Sequence, residues 1–330
     1  MPKHQLVDRY NRHLNYLRIS ITDRCNLRCI YCVPRAHIQR LTHDEVLRYE
    51  EILRLVRLGV RMGIDKVRVT GGEPLVRKGV FDFLTKLART EGLKELTLTT
   101  NGMLLAEHIE EIQQSGIQRL NISLDTLDRE KYRRITGVDG FERVWDGIVA
   151  ADEKGFRPIK LNVVALRGVN DDELLAFARL TFKYPYHIRF IEYMPIGKDR
   201  MQFGPALLVP EIKRAIESIG ELTPLKRNSN YGPAERFRLK GAKGEIGFIS
   251  ALSHHFCSNC NRLRLTASGQ LRPCLLSDFQ VDLKSALRSG ATDPELSEIF
   301  VEAVRNKPSD HTLSIDNPSG VSCQMSSIGG

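Results

Sequence analysis

Apolar and polar positions alternate with a period of two over 16–22, 66–70, 95–100, 119–124, 159–165 and 187–192, which predicts six strands. Between them apolar residues recur at helical spacing over 43–62, 80–90, 104–115, 141–154 and 171–182. Gly63, Gly92, Gly116 and Gly155 follow four of these helices, the position helix ends prefer for glycine. Strand and helix in regular alternation imply a parallel sheet with right-handed crossovers. Six units are too few to close an eight-stranded barrel, so the expected class is α/β, a partial (β/α)6 TIM-type barrel. After about residue 224 the rhythm changes to short β-like runs at 236–240, 245–249 and 262–266, with helices over 281–288 and 294–304. The expected division is a barrel over 1–223, a C-terminal α+β extension over 224–306 and a tail over 307–330 that ends in Gly-Gly. Its Ser, Pro, Asn and Gly content has that tail run over the surface.

The strand faces carry the first functional signal. Strands covered on both sides read as continuous apolar runs, and these do not. Leu17, Ile19 and Ile21 oppose Arg18, Ser20 and Thr22; Val67 and Val69 oppose Lys66, Arg68 and Thr70. Leu120, Ile122 and Leu124 oppose Asn121, Ser123 and Asp125, and Lys160, Asn162, His187 and Arg189 continue the pattern. Alternation by itself fits a half-exposed sheet equally well. Crossover helices on the apolar faces favour a hydrophilic, cation-rich lumen instead, where clustered cations are costly until an anion arrives.

Composition narrows the class. With 330 residues, 42% hydrophobic and 27% charged, the chain is a folded protein with a sizeable core. No apolar run approaches the ~18 residues needed to span a bilayer. Residues 1–24 are polar and basic, without a secretory segment, so a cytoplasmic protein is expected. A net charge of +9 points to an anionic partner of unspecified kind. Both the dinucleotide fingerprint and the P-loop are absent, so a nucleotide would be bound in another way.

The cysteines are grouped: Cys25, Cys29 and Cys32; Cys257, Cys260 and Cys274; and Cys323 alone. In a reducing compartment such grouping means metal or catalysis. Cys25-x-x-x-Cys29-x-x-Cys32 follows strand one, where barrels place site loops. Three thiolates on one short loop suit a cubane iron–sulfur cluster with one open iron; structural zinc completed by His37 or His43 is the alternative. For the second group zinc completed by His254 or His255 is a stronger alternative. Arg262 and Arg264 share one face of the strand after it, as a solvated edge or as part of a site.

The cysteine loop, with Tyr31 before its last cysteine, and Gly71-Gly72-Glu73-Pro74 after strand two resemble the radical S-adenosylmethionine enzymes. Nearly the whole chain resembles one family among them, the GTP 3′,8-cyclases. The resemblance runs through Leu17-Arg18-Ile19-Ser20, Thr22-Asp23-Arg24-Cys25, Thr99-Thr100-Asn101-Gly102, Asn121-Ile122-Ser123-Leu124-Asp125, the segment from Cys257 to Arg264 and Gly329-Gly330. It implies a 4Fe–4S cluster on Cys25, Cys29 and Cys32, and a second on Cys257, Cys260 and Cys274 in the C-terminal extension. It implies S-adenosylmethionine contacts at Tyr31, Gly72, Ser123 and Met194. GTP contacts are implied at Arg18, Arg68, Thr99, Lys160, Arg262, Leu263 and Arg264, with Lys66, Arg189, Gly329 and Gly330 as helpers. No side chain is implied as catalytic beyond the cofactor-borne radical, which takes the 3′ hydrogen of GTP before the ribose carbon attacks C8. Further implied are an external electron donor, a downstream cyclic pyranopterin monophosphate synthase and a homodimer as a candidate assembly, with no nucleic acid and no membrane. Two rivals are a peptide- or RNA-modifying radical enzyme and a zinc protein that binds nucleic acid. Neither a stacking platform nor a basic recognition helix supports the last.

Overall fold

A computed structural model of the chain describes residues 5–32, 40–196, 205–226, 232–311, 313, 321 and 325–329. In it the alternating pattern becomes the two faces of one sheet. Strands β1 (Tyr16–Ser20), β2 (Lys66–Thr70), β3 (Glu95–Thr100), β4 (Arg119–Ser123), β5 (Ile159–Ala165) and β6 (His187–Glu192) pair in sequence order, all parallel. Leu17, Ile19, Val67, Val69, Leu98, Leu120, Ile122, Leu161 and Ile188 are wholly buried on the outer face. The helices that cover them are α1 (Tyr49–Arg61), α2 (Val80–Ala88), α3 (Ile109–Gln114), α4 (Arg129–Thr136), α5 (Phe141–Glu153) and α6 (Leu174–Lys183). Because side chains alternate across a strand, the polar positions then all face inward.

The later strands join the same sheet at both of its edges. Of β7 (Leu222–Pro224), β8 (Glu235–Leu239) and β9 (Glu245–Ile249), the last pairs parallel with β6 and the others follow antiparallel. At the other edge β10 (Arg262–Leu265) pairs parallel with β1, placing Arg262 opposite Tyr16 and Arg264 opposite Arg18. Antiparallel β11 (Gln270–Arg272) and β12 (Val281–Asp282) end that side. Eight parallel strands thus form the wall, six of them from the barrel units.

Several elements differ from the sequence reading. The helix expected over 43–62 begins only at Tyr49. Its first part is a turn, because the Leu47 amide donates to the Ala267 carbonyl at 2.8 Å and Arg288 binds the carbonyls of Asp44 and Val46. α4 and α7 (Val209–Glu217) were not foreseen. α4 reads as a run of charges in which only Tyr132, Ile135 and Thr136 are buried. It is started by Asp128, whose carboxylate accepts from the Lys131 amide, and ended by Gly137 in the left-handed region. After β12 come α8 (Leu283–Arg288) and α9 (Asp293–Arg305).

The expected surface tail is corrected as well. Lys307, Leu313, Val321 and Ile328 are buried, and Leu313 and Val321 pack with Leu252 and Leu276 in a second small apolar cluster. The short helix α10 (Met325–Ile328) returns the chain to the lumen. Cys323, Gly330 and His37 lie outside the described residues. Among the described residues no helix is long and apolar enough to cross a membrane.

Candidate active site

The lumen is a cavity of about 300 Å³ lined by all six grouped cysteines. The two groups lie at opposite ends. Cys25, Cys29 and Cys32 follow the C-terminal end of β1. Cys257 and Cys260 precede β10, which runs parallel to β1, and Cys274 follows β11, which runs back again. The five residues of β1 between them correspond to about 13 Å of strand.

At the first end the β1–β2 ladder continues past both strands into the loops. The Ile21 amide donates to the Thr70 carbonyl, Gly72 to Thr22 and Glu73 to Arg24, at 3.0, 2.6 and 2.8 Å. This draws Gly71-Gly72-Glu73-Pro74 against the cysteine loop. A Cβ at Gly72 would lie 2.3 Å from the Arg24 carbonyl oxygen, so only glycine fits the approach. Glu73 is buried and accepts from the Leu75 amide, the Thr100 hydroxyl and the Asn101 amide. Burial pushes its carboxyl up to about 7 despite those three donors. Asn101 extends the chain of contacts to the Asn26 side chain at 2.7 Å and towards Cys25 Sγ at 3.7 Å. Asp125 closes the other side, accepting from the Tyr31 hydroxyl at 2.6 Å and the Val164 amide at 2.8 Å. Glu73, Asn101 and Asp125 therefore fix the loop that carries the first cysteines, roles the sequence reading did not give them.

The donor set suits a cationic metal cluster. Burial raises the Cys25 thiol, and it raises Cys29 further together with charge on Cys32, Asp125 and Cys25. Cys32 is pushed up to about 12 by burial, then by Cys25 and Asp125. Three thiolates so placed repel one another and ionise together only around a cation, and soft sulfur donors at this spacing match iron–sulfur ligation.

The second end has a different electrostatic character. Burial and a bond to Asp310 push Cys257 up to about 12. Burial would raise Cys260 too, but Arg262 and Lys307 outweigh it and bring that thiol down to about 6. Lys307 is 3% exposed and donates to the Arg262 and Pro273 carbonyls. Arg12 binds the carbonyls of Cys257, Pro308 and Ser309. These two cations clamp the second cysteine group, and nothing in their sequence surroundings signals it. His254 is exposed and His255 is held by Asp310 at 2.9 Å, while His43 at the first end is also exposed.

Between the ends eight cations line the cavity: Arg18, Lys66, Arg68, Arg119, Lys160, Arg189, Arg262 and Arg264. Asp125 is the one carboxylate among the lining residues, so the lumen as a whole calls for a polyanion. Lys66 and Arg119 share Glu95 at 2.9 and 3.1 Å, and Arg68 donates to the Thr97 hydroxyl at 3.3 Å. Arg189 and Arg264 are each brought down to about 9, mainly by burial and next by Arg68 and Arg262 respectively. Thr99 and Ser123 line the same space, with the Thr99 hydroxyl unpartnered among the described residues; Gly72 borders it beside the first cysteine loop, and Met194 lines it where it packs against the small cluster of Leu252 and Leu276. Arg264 donates to the Gly329 carbonyl at 2.6 Å, which brings the tail to the lumen. Leu263 does not join this set: its side chain is wholly buried in the outer core, the consequence of strand alternation between Arg262 and Arg264.

Lys160 is the extreme case. It is 4% exposed with no carboxylate partner among the described residues. Burial, then Arg189, Arg68, Arg119 and Lys66, hold its ammonium down to about 5. Its charged form is thus disfavoured in the free protein, and a bound polyphosphate should favour uptake of one proton there. Through this group GTP affinity should fall by up to about tenfold per pH unit from pH 6 to 8. Lys160→Ala should remove that slope, and Lys160→Ala or Arg18→Ala should cost about 1.5–3 kcal/mol of GTP binding. Guanosine binding should change little. Calorimetry across pH checks both; equal losses for nucleotide and nucleoside would mean that these side chains do not meet phosphate.

Comparison with known proteins agrees with this geometry. Residues 19–181 match the Radical SAM superfamily and residues 186–313 match Molybdenum Cofactor Synthesis C. In fold the chain is similar to the crystal structure of Streptococcus suis SuiB bound to S-adenosylmethionine, with a TM-score of 0.61 at 16% identity, covering 88% of this chain and 69% of that one. A barrel with the cysteine loop after its first strand and the glycine loop after its second thus defines a radical S-adenosylmethionine enzyme. The chain is 48% identical over 330 residues to the GTP 3′,8-cyclase of Thermodesulfovibrio yellowstonii, and 49% identical over 325 residues to that of Moorella thermoacetica. Each alignment covers 98% of this chain and 100% of the relative. The chain belongs to the GTP 3′,8-cyclase family, whose cofactors are S-adenosylmethionine and two 4Fe–4S clusters.

Proposed function

We propose that the chain converts GTP to (8S)-3′,8-cyclo-7,8-dihydroguanosine 5′-triphosphate, the first step of molybdenum cofactor biosynthesis. The observation that carries this reading is a lumen of eight cations and one carboxylate set between two cysteine triads. When bound, the first cluster and S-adenosylmethionine supply hydrogen-atom abstraction at an unactivated ribose carbon. The chain's own residues provide the rest. Cys25, Cys29 and Cys32 would hold the first cluster, and Tyr31, Gly72, Ser123 and Met194 would border the S-adenosylmethionine. Arg18, Arg68, Thr99, Lys160, Arg262 and Arg264 would take the triphosphate, with Lys66 and Arg189 beside them; Leu263 would contribute only backbone. Cys257, Cys260 and Cys274 would hold the second cluster against the guanine, with Gly329 and Gly330 as helpers. Reach matters here, because the reacting atoms must be held within roughly 3–3.5 Å.

An external electron donor, a downstream cyclic pyranopterin monophosphate synthase that consumes the product, a homodimeric assembly and a cytoplasmic setting complete the reading. Anaerobic incubation with GTP, S-adenosylmethionine and a reductant tests it. The expected result is 5′-deoxyadenosine and the cyclised dihydro-nucleotide in equal amounts; cleavage of S-adenosylmethionine that never consumes GTP would overturn it.

A further inference from the structure

Among the described residues that line the lumen, Tyr16 is a buried polar side chain whose burial the preceding roles leave unexplained. Tyr16 opens β1 on the same face as Arg18, is 3% exposed and lines the cavity. Its hydroxyl has no hydrogen-bond partner among the described residues. A buried tyrosine ordinarily finds a partner, and an unmade hydrogen bond at a buried donor is costly. Phenylalanine would fill the same space without that cost.

The surroundings say what kind of partner is missing. Lys66 Nζ sits 5.0 Å and Arg68 Cζ 5.6 Å from the ring centroid, both within cation–π range. Arg262 is the register partner of Tyr16 across the β1–β10 ladder, and Arg18 stands two residues on. Lysine and arginine only donate, so none of these neighbours can accept from the hydroxyl. Burial alone would raise the phenol, but Arg68, Arg18, Lys66 and Arg262 outweigh it and hold it below the ordinary tyrosine range. A more acidic phenol is a better donor to an anion. The missing partner is therefore an acceptor brought from outside, and among four cations that acceptor is anionic.

We propose that Tyr16 is a substrate-positioning residue whose hydroxyl donates a hydrogen bond to a phosphate oxygen of the bound nucleotide, at the end of the lumen nearer Cys260. This rests on the reading of the lumen as a nucleoside triphosphate site. Cations supply attraction with little direction, whereas a rigid phenol on a strand supplies one donor at a fixed point. It would select one course of the polyphosphate chain and so fix the ribose relative to the S-adenosylmethionine end. Adding no charge, it should leave the salt dependence of binding unaltered.

The experiment is equilibrium binding of GTP, inorganic tripolyphosphate and guanosine to the reconstituted holoenzyme, at two salt concentrations, for wild type, Tyr16→Phe and Tyr16→Leu. Tyr16→Phe keeps the ring and should bind GTP and tripolyphosphate about tenfold more weakly, with guanosine and the salt dependence unchanged. Its KM for GTP should rise more than its kcat falls. Tyr16→Leu should lose more, because Lys66 and Arg68 lose the ring that orders them. Wild-type affinity for GTP in Tyr16→Phe, or equal losses for GTP and guanosine, would overturn the proposal. Wild type that binds tripolyphosphate but not GTP would overturn the nucleotide reading alone, since the Tyr16→Phe comparison on tripolyphosphate still decides the phosphate contact. Wild type that binds neither would overturn both.

Discussion

Replacing Cys25, Cys29 and Cys32 together with Ser should abolish formation of 5′-deoxyadenosine, whereas replacing Cys257, Cys260 and Cys274 should leave some cleavage of S-adenosylmethionine but no cyclised GTP. The difference follows from their placement at opposite ends of the lumen. The first group shares its loop contacts with Gly72, Glu73 and Asn101, at the end where S-adenosylmethionine is expected. The second group stands beside Arg262 and Lys307, where it would hold the guanine. Losing it leaves hydrogen abstraction with no ribose correctly presented, so turnover becomes uncoupled. Chromatography of both products, with iron counted in each variant, checks the result. Normal cyclisation by the second variant, or residual cleavage by the first, would sink the assignment. Loss of cleavage in both variants would mean that the second group also keeps the first end in shape.

Deleting Gly329 and Gly330 should abolish cyclisation while leaving the fold and both clusters intact. Gly329 adopts φ +72°, and a Cβ there would come within 2.9 Å of Ser20 Cβ and 3.1 Å of Thr70 Cγ2. Its carbonyl accepts from Arg264 at 2.6 Å, so truncation frees a cation that faces the lumen. Gly329→Ala should show a weaker form of the same defect, because the left-handed backbone and the close approach both exclude a side chain. Spectroscopic cluster content together with product yield separates this from misfolding. Full activity after truncation would show the tail to be passive.

Much of the barrel was legible because its inner face is polar. Had the lumen been packed with apolar side chains, Arg18, Arg68 and Lys160 would not have marked one face of each strand. Tyr16 shares the face of Arg18, but the sequence reading did not single it out because an aromatic at the start of a strand reads as core; its place in the lumen lining and its orphaned hydroxyl reveal otherwise. The cysteine motifs were legible from spacing. Arg12 and Lys307 were not, since each acts through backbone carbonyls with no local signature, and Asp125 was placed on the lumen face without its bonds to Tyr31 and Val164. The resemblance to the family named Leu263 along with its neighbours, but its side chain is buried in the core and it is not among the residues that line the cavity. The parallel pairing of β10 with β1 was out of reach because no periodicity encodes which distant strand will lie beside an edge.

That pairing has a consequence for how the protein is made. The edge of β1 waits for a partner that lies about 250 residues later in the chain. At ~5–20 residues per second a ribosome needs roughly 12–50 s to deliver it. During that time the row of unpaired amides and carbonyls along β1 is a template for any other strand. Arg18 and its neighbours on β1 and β2 keep the inner face charged through that interval, and charge on an open strand edge discourages intermolecular pairing. The cations that later line the lumen therefore also guard the half-made sheet, and a nascent chain arrested before Arg262 emerges is the form most exposed to aggregation.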